Sequence, residues 1–139
     1  MPISIERAIA EAERQIKALA STYPQHLSSV TSELDALAQA GDWAGIGVIA
    51  HDIKGQAATV GWPLLGDIAR SLQRCLDSAA TKLYGEAVAL HVAAIRVCLS
   101  KGIADHGTEG DRLLTDLIAL GNHMAEVAHN DPIMPPITK

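Results

Sequence analysis

The sequence predicts an all-α fold: an up-and-down antiparallel four-helix bundle with additional packed helices, about six helices in all. Phe is absent and there are only two Trp and two Tyr, while Ala, Leu, Glu and Gln are abundant. Strands favour aromatic and β-branched residues, whereas Ala and Leu are strong helix formers. Apolar residues recur with a period near 3.6 rather than 2. Gly and Pro fall between the periodic stretches, so the connections are short and neighbouring helices run antiparallel.

The first helix spans about Ile3 to Ala20, with Ile5, Ile9, Ala12, Ile16 and Leu19 on one face. Pro24 suits the first turn of a second helix, where its missing N–H costs nothing. That helix carries Leu27, Val30, Leu34 and Leu37 and stops at Gly41. Asp42 is the natural N-cap of a third helix, Trp43 to Val60, which Gly61 ends. Pro63 opens a fourth, with Leu65, Ile68, Leu72, Cys75 and Ala79 inward. A fifth covers roughly Lys82 to His106, with Val88, Val92, Ile95, Leu99 and Ile103 at core spacing and Gly107 as its stop. Thr108 and Asp111 are spaced as a capping box for a sixth helix, which carries Leu113, Leu117, Leu120, Met124 and Val127. Residues 1–130 form one domain, and the Pro-rich 131–139 reads as a mobile tail.

Composition narrows the function. The 139 residues have 48% apolar and 19% charged side chains, enough to bury a core. A net charge of −5 argues against nonspecific nucleic-acid binding. Cys75 and Cys98 make no disulfide framework, which suits a reduced, cytoplasmic setting. No run approaches the roughly 20 apolar residues of a membrane span, and the N-terminus shows no secretion signal.

The third helix is the informative one. Ile46, Ile49, Ala50, Ile53, Ala57 and Val60 form its core stripe. At about 100° per residue, His51 points away from that stripe, together with Ala44, Gly47, Val48, Lys54, Gly55 and Ala58. Five of these six neighbours are small and uncharged where Glu, Lys and Gln are usual. Each Gly costs about 1 kcal/mol against Ala inside a helix. Such a surface lets a partner protein approach one protruding imidazole closely. Packing of the same side against the N-terminal helix, with His51 an ordinary boundary histidine, fits the pattern equally well.

The stretch Ala50-His51-Asp52-Ile53-Lys54-Gly55-Gln56-Ala57, followed by Gly61, Leu65, Ala69, Leu72 and Gln73, resembles histidine-containing phosphotransfer (HPt) domains. The likeness covers about residues 37–76. It implies a phosphoryl carrier of two-component phosphorelays, in which His51 takes a phosphoryl group from a receiver-domain aspartyl phosphate and passes it to another receiver. Lys54 would offset charge on the phosphoryl oxygens, Gly55 would keep the approach open, and Gln73 would hold Nδ1 so that Nε2 attacks. Ala44, Gly47, Val48 and Ala58 would border the docking surface. Partners would be response-regulator receivers and a hybrid histidine kinase; neither nucleic acid nor a membrane is implied. No cofactor is expected on this chain, because Mg2+ would belong to the receiver. With no P-loop and no kinase-type glycine loop, ATP-dependent kinase activity is not expected. A non-transferring module that binds and sequesters a receiver is the alternative, and an unrelated helical adaptor is a third.

Other features carry less. His26, His91, His106, His123 and His129 are scattered, and His91 sits beside the core stripe as a boundary histidine. Glu126-Val127-Ala128-His129 has the spacing of di-iron bundles without the second pair such sites need. Cys75 and Cys98 fall at buried spacings. No Ser-His-Asp arrangement is recognisable. Trp62 is read as a hydrophobic plug over the turn rather than as docking rim.

Overall fold

The structure, a computed structural model, describes the backbone of residues 4–130 and side chains to 128; the tail 131–139 lies outside the described residues. Five α-helices follow one another, with no strand among the described residues: α1 (Ile5–Ala40), α2 (Trp43–Gln56), α3 (Pro63–Asp77), α4 (Tyr84–Lys101) and α5 (Thr108–Asn130). A 3-10 turn, Thr81–Leu83, precedes α4. The C-terminal half of α1 packs on α2 and α4, α3 closes the four-helix bundle, and α5 lies against α3 and α4.

The first two expected helices are one. Pro24 lies inside α1, where its missing N–H removes a bond to the carbonyl four residues back, at a cost of about 3 kcal/mol. Tyr23, Leu27, Val30 and Leu34 are buried on either side of it. At about 1.5–3 kcal/mol per apolar side chain, their burial outweighs the lost bond. The N-terminal half behaves differently: Ser4 to Leu19 are all exposed, so the Ile5–Leu19 face is not in the core.

Two glycines fix the ends of the hairpins. Gly41 (φ 70°) and Gly61 (φ 91°) adopt the left-handed conformation. Each closes a Schellman cap, with Asp42 N–H bonded to Leu37 O (2.9 Å) and Trp62 N–H to Ala57 O (2.8 Å). The regular part of α2 thus ends at Gln56, and its last turn runs on to the expected stop at Gly61. Asp42 caps the other end, its Oδ1 accepting from Gly45 N–H at 2.9 Å.

Three further expectations are corrected. Ala79 lies beyond α3 and is exposed rather than inward, because Ser78 takes an extended conformation and ends the helix. The fifth expected helix stops at Lys101, not near His106, because Gly102 turns left-handed and Ile103 N–H folds back to Cys98 O (2.9 Å). Asp111 makes no capping box with Thr108; its Oδ1 takes the His106 ring at 2.9 Å, while His106 Nε2 meets Asp67 at 2.6 Å. Both ring nitrogens donate to carboxylates, and these bonds, to Asp111 and then Asp67, raise the His106 pKa. This clip ties the α4–α5 connection to α3.

The core is aliphatic and carries one polar bridge. Leu27, Leu34, Ile46, Leu64, Leu65, Ile68, Leu72 and Ile95 are fully buried. His91 is buried completely rather than at the boundary. Its Nδ1–H donates to Ala87 O (2.7 Å) and its Nε2 accepts from the Ser71 hydroxyl (2.9 Å), joining α4 to α3. Burial lowers its pKa and keeps it neutral. The stretch Thr81–Lys101 has the length and composition of a membrane-crossing helix, contrary to expectation. In the bundle its Ala87, Val88, Val92 and Ile95 fill the core, which accounts for that composition without a bilayer. Cys75 and Cys98 are buried free thiols, and burial pushes Cys98 up to about 11.

Candidate functional site

The site is built on the outer side of α2. Ile46, Ala50, Ile53 and Ala57 are buried against the bundle, which fixes the rotation of the helix about its axis. That rotation turns His51 outward into solvent, with exposed Ala44, Val48, Gly55 and Ala58 around it and half-buried Gly47 and Lys54 beside them. The N-terminal half of α1 does not cover this face. His51 is therefore a surface imidazole, not a boundary histidine packed on α1.

The surface around the ring is low. A Cβ added at Gly47 or Gly55 would meet nothing within 4 Å, so no packing demand inside the molecule explains either glycine. Gly45 is different, because a Cβ there would come within 2.7 Å of the Asp42 carboxylate that caps the helix. Val48 is 62% exposed, an apolar side chain standing in water one turn from the imidazole. Among the described residues no hydrogen bond reaches the His51 ring, so both nitrogens are free for a partner.

Lys54 follows one turn after His51, on the same side of the helix, and is half-buried. Gln73 stands half-buried on α3, the helix that packs most extensively on α2. It makes no hydrogen bond to the imidazole in this structure. Gly66, one residue that sequence reasoning missed, is buried where α3 passes α2: its missing Cβ would sit 3.5 Å from Lys54 O and 3.6 Å from the Ala57 Cβ. The signal was present, since a glycine in the middle of an amphipathic helix marks a close approach. Trp62 is half-buried and packs on the main core, as a plug over the α2–α3 turn.

Among the described residues no group of three or more His, Cys, Asp or Glu is arranged to hold a metal ion, and the Glu126–His129 pair falls partly outside the described side chains. What the face offers chemically is one nucleophilic imidazole, one cation and access. A scan against family models matches residues 5–128 to the Hpt domain. The chain belongs to the Hpt domain family. No curated protein and no solved structure matches it. An Hpt domain is a helical bundle associated with phosphotransfer in two-component systems, which agrees with both the architecture and the exposed histidine helix.

Proposed function

We propose that this Hpt domain is a phosphoryl carrier, receiving a phosphoryl group on His51 from a receiver-domain aspartyl phosphate and delivering it to a second receiver. The observation that carries the reading is the solvent-facing imidazole on a helix side cleared of long side chains, with one lysine a turn away. Nε2 of the neutral ring attacks phosphorus while the P–O bond to the aspartate breaks and its electron pair leaves on the carboxylate. Nδ1 keeps its hydrogen, so this step requires no proton transfer.

Gly47 and Gly55 keep the approach open on both sides of the ring, and Ala44, Val48 and Ala58 supply flat apolar contact for the docking receiver. The Lys54 ammonium offsets charge on the phosphoryl oxygens, as the electrostatic nature of phosphoryl transfer demands. Gln73 holds the ring by accepting from Nδ1–H through its side-chain oxygen; its place on the neighbouring helix supports this role. The Mg2+ and acidic cluster come with the receiver. The buried free thiols suit a reduced, cytoplasmic setting.

The test incubates wild type and His51→Ala with receiver domains already phosphorylated by their kinases and follows the label. Acid-labile, base-stable phosphate on wild type alone establishes the carrier. A receiver that binds tightly to both proteins with no label transferred makes the domain a sequestering module instead.

A further inference from the structure

We infer that the free N-terminal half of α1 is a self-association arm, through which two copies of this chain pair as antiparallel helices along Ile5, Ile9, Ala12, Ile16 and Leu19. These positions are spaced four, three, four and three residues apart, the 3.5-residue repeat that a second α-helix reads as a coiled-coil seam. Among the described residues the large ones stand exposed: Ile5 is 77% exposed, Ile9 51%, Ile16 39% and Leu19 57%. The arm is nevertheless finished as a helix. Ser4 accepts from Arg7 N–H at its N-cap, and Glu11 pairs with both Arg14 and Gln15 along its outer side.

Charge favours a second copy. The chain carries −5, so most ways of bringing two copies together are repulsive. The arm is neutral, with Glu6, Glu11 and Glu13 balanced by Arg7, Arg14 and Lys17. Area sets the interface class. Covering four aliphatic side chains and the small residues between them on each copy removes about 1,000 Å² in total, near the lower limit for a specific interface. An interface of this size belongs with the weak, transient class of associations.

Sterics set the direction. The seam runs on into buried Tyr23 and Leu27, and the α2–α3 turn stands across its inner end. A groove of about 580 Å³ between them is lined by Ile16, Lys17, Ala20, Thr59, Val60 and Gly61. A parallel partner would drive its own bundle into this turn. An antiparallel partner places the two bundles at opposite ends of the pair.

Sedimentation velocity on the whole chain from about 5 to 500 µM tests the inference. Wild type should pass from monomer to dimer over this range, and Ile9→Lys with Ile16→Lys should remain monomeric with its helical circular dichroism intact, since Lys is a good helix former. A wild type that stays monomeric throughout overturns the proposal, and so does a double variant that dimerises as wild type does. If wild type is monomeric while the double variant loses phosphoryl acceptance from a receiver, the arm's occupant is the receiver and self-association is wrong. For orientation, spin labels on Ala8→Cys and Lys17→Cys report distances between copies, the native thiols being buried. Short 8-to-17 and long 8-to-8 distances are expected, and the reverse overturns the antiparallel arrangement.

Discussion

Gly55→Gln separates docking from folding. The glycine is exposed near the end of α2, its backbone is helical, and a Cβ there meets nothing within 4 Å. Folding therefore gains from the substitution: Gln is a better helix former by about 0.5 kcal/mol at this near-terminal position. For 139 residues that raises Tm by about 2 °C. Transfer moves the other way. A Gln side chain one turn from His51 occupies space that an incoming receiver needs, and overfilling a packed contact costs about 1–3 kcal/mol. Carried into the transition state, this slows phosphoryl acceptance by about 5- to 160-fold. The assay pairs thermal unfolding with the initial rate of label transfer from a phosphorylated receiver. Transfer within twofold of wild type at unchanged stability would refute the docking surface, and a Tm several degrees lower would show that Gly55 serves the fold instead.

Substitutions at four other positions probe the rest of the molecule. Gly66→Leu should destabilise by about 1–3 kcal/mol in urea unfolding, because the added side chain must enter the contact with Lys54 O and Ala57, while Gly66→Ala stays within ordinary packing distance and costs far less. The pH profile of Tm should show two opposed histidines. His91 is held below its ordinary 6.5 by burial, so its contribution is complete above that pH and falls away on acidification; His91→Phe flattens the acid limb. His106 is held above 6.5 by Asp111 and Asp67, so its contribution is complete below that pH and is lost as pH rises through its raised pKa; His106→Asn flattens the alkaline limb. Lys54→Ala should slow transfer about tenfold without abolishing receiver binding, which titration calorimetry checks.

Much of this fold was legible because helices announce themselves through period, caps and stops. Asp42, Gly41, Gly61 and Pro63 each sit where the sequence placed them. The errors share a cause: local signals compete, and packing decides between them. Pro24 is a good helix opener, yet the buried stripe from Tyr23 to Leu34 carries the helix through it. Gly107 is a plausible stop, but Gly102 comes first and Ile103 has a carbonyl to fold back on. Asp111 could have capped α5, but the His106 ring, delivered by a connection that sequence does not fold, takes its carboxylate. At the site, the outward direction of His51 followed from helical geometry alone. Whether α1 covered it did not, because the exposed apolar face of α1 has the same periodicity as a buried one.

Two surfaces of this molecule depart from the usual charged exterior, and they do so in different ways. The arm presents large aliphatic side chains at a 3.5-residue period, a relief that another helix can interlock with. The His51 face presents the opposite, glycine and alanine around one ring, with no relief to interlock. Interlocking side chains would be a disadvantage beside a transferring histidine, since Nε2 and a partner's carboxylate must come within bonding reach of the same phosphorus. Apart from Lys54, whose ammonium would meet the phosphoryl oxygens, a long side chain near the ring would hold the two proteins apart. The transfer reading also requires that the ring not wander: Gln73 would hold it from α3, and α2 fixes the backbone that carries it through its ends. Asp42 and the Gly41 turn fix its start, the Gly61 turn fixes its finish, and Ile46, Ala50, Ile53 and Ala57 lock its rotation. In the transfer reading, a flat approach over a rigid helix is what the two costly glycines on the outer side of α2 would serve, where no contact within the bundle requires either of them.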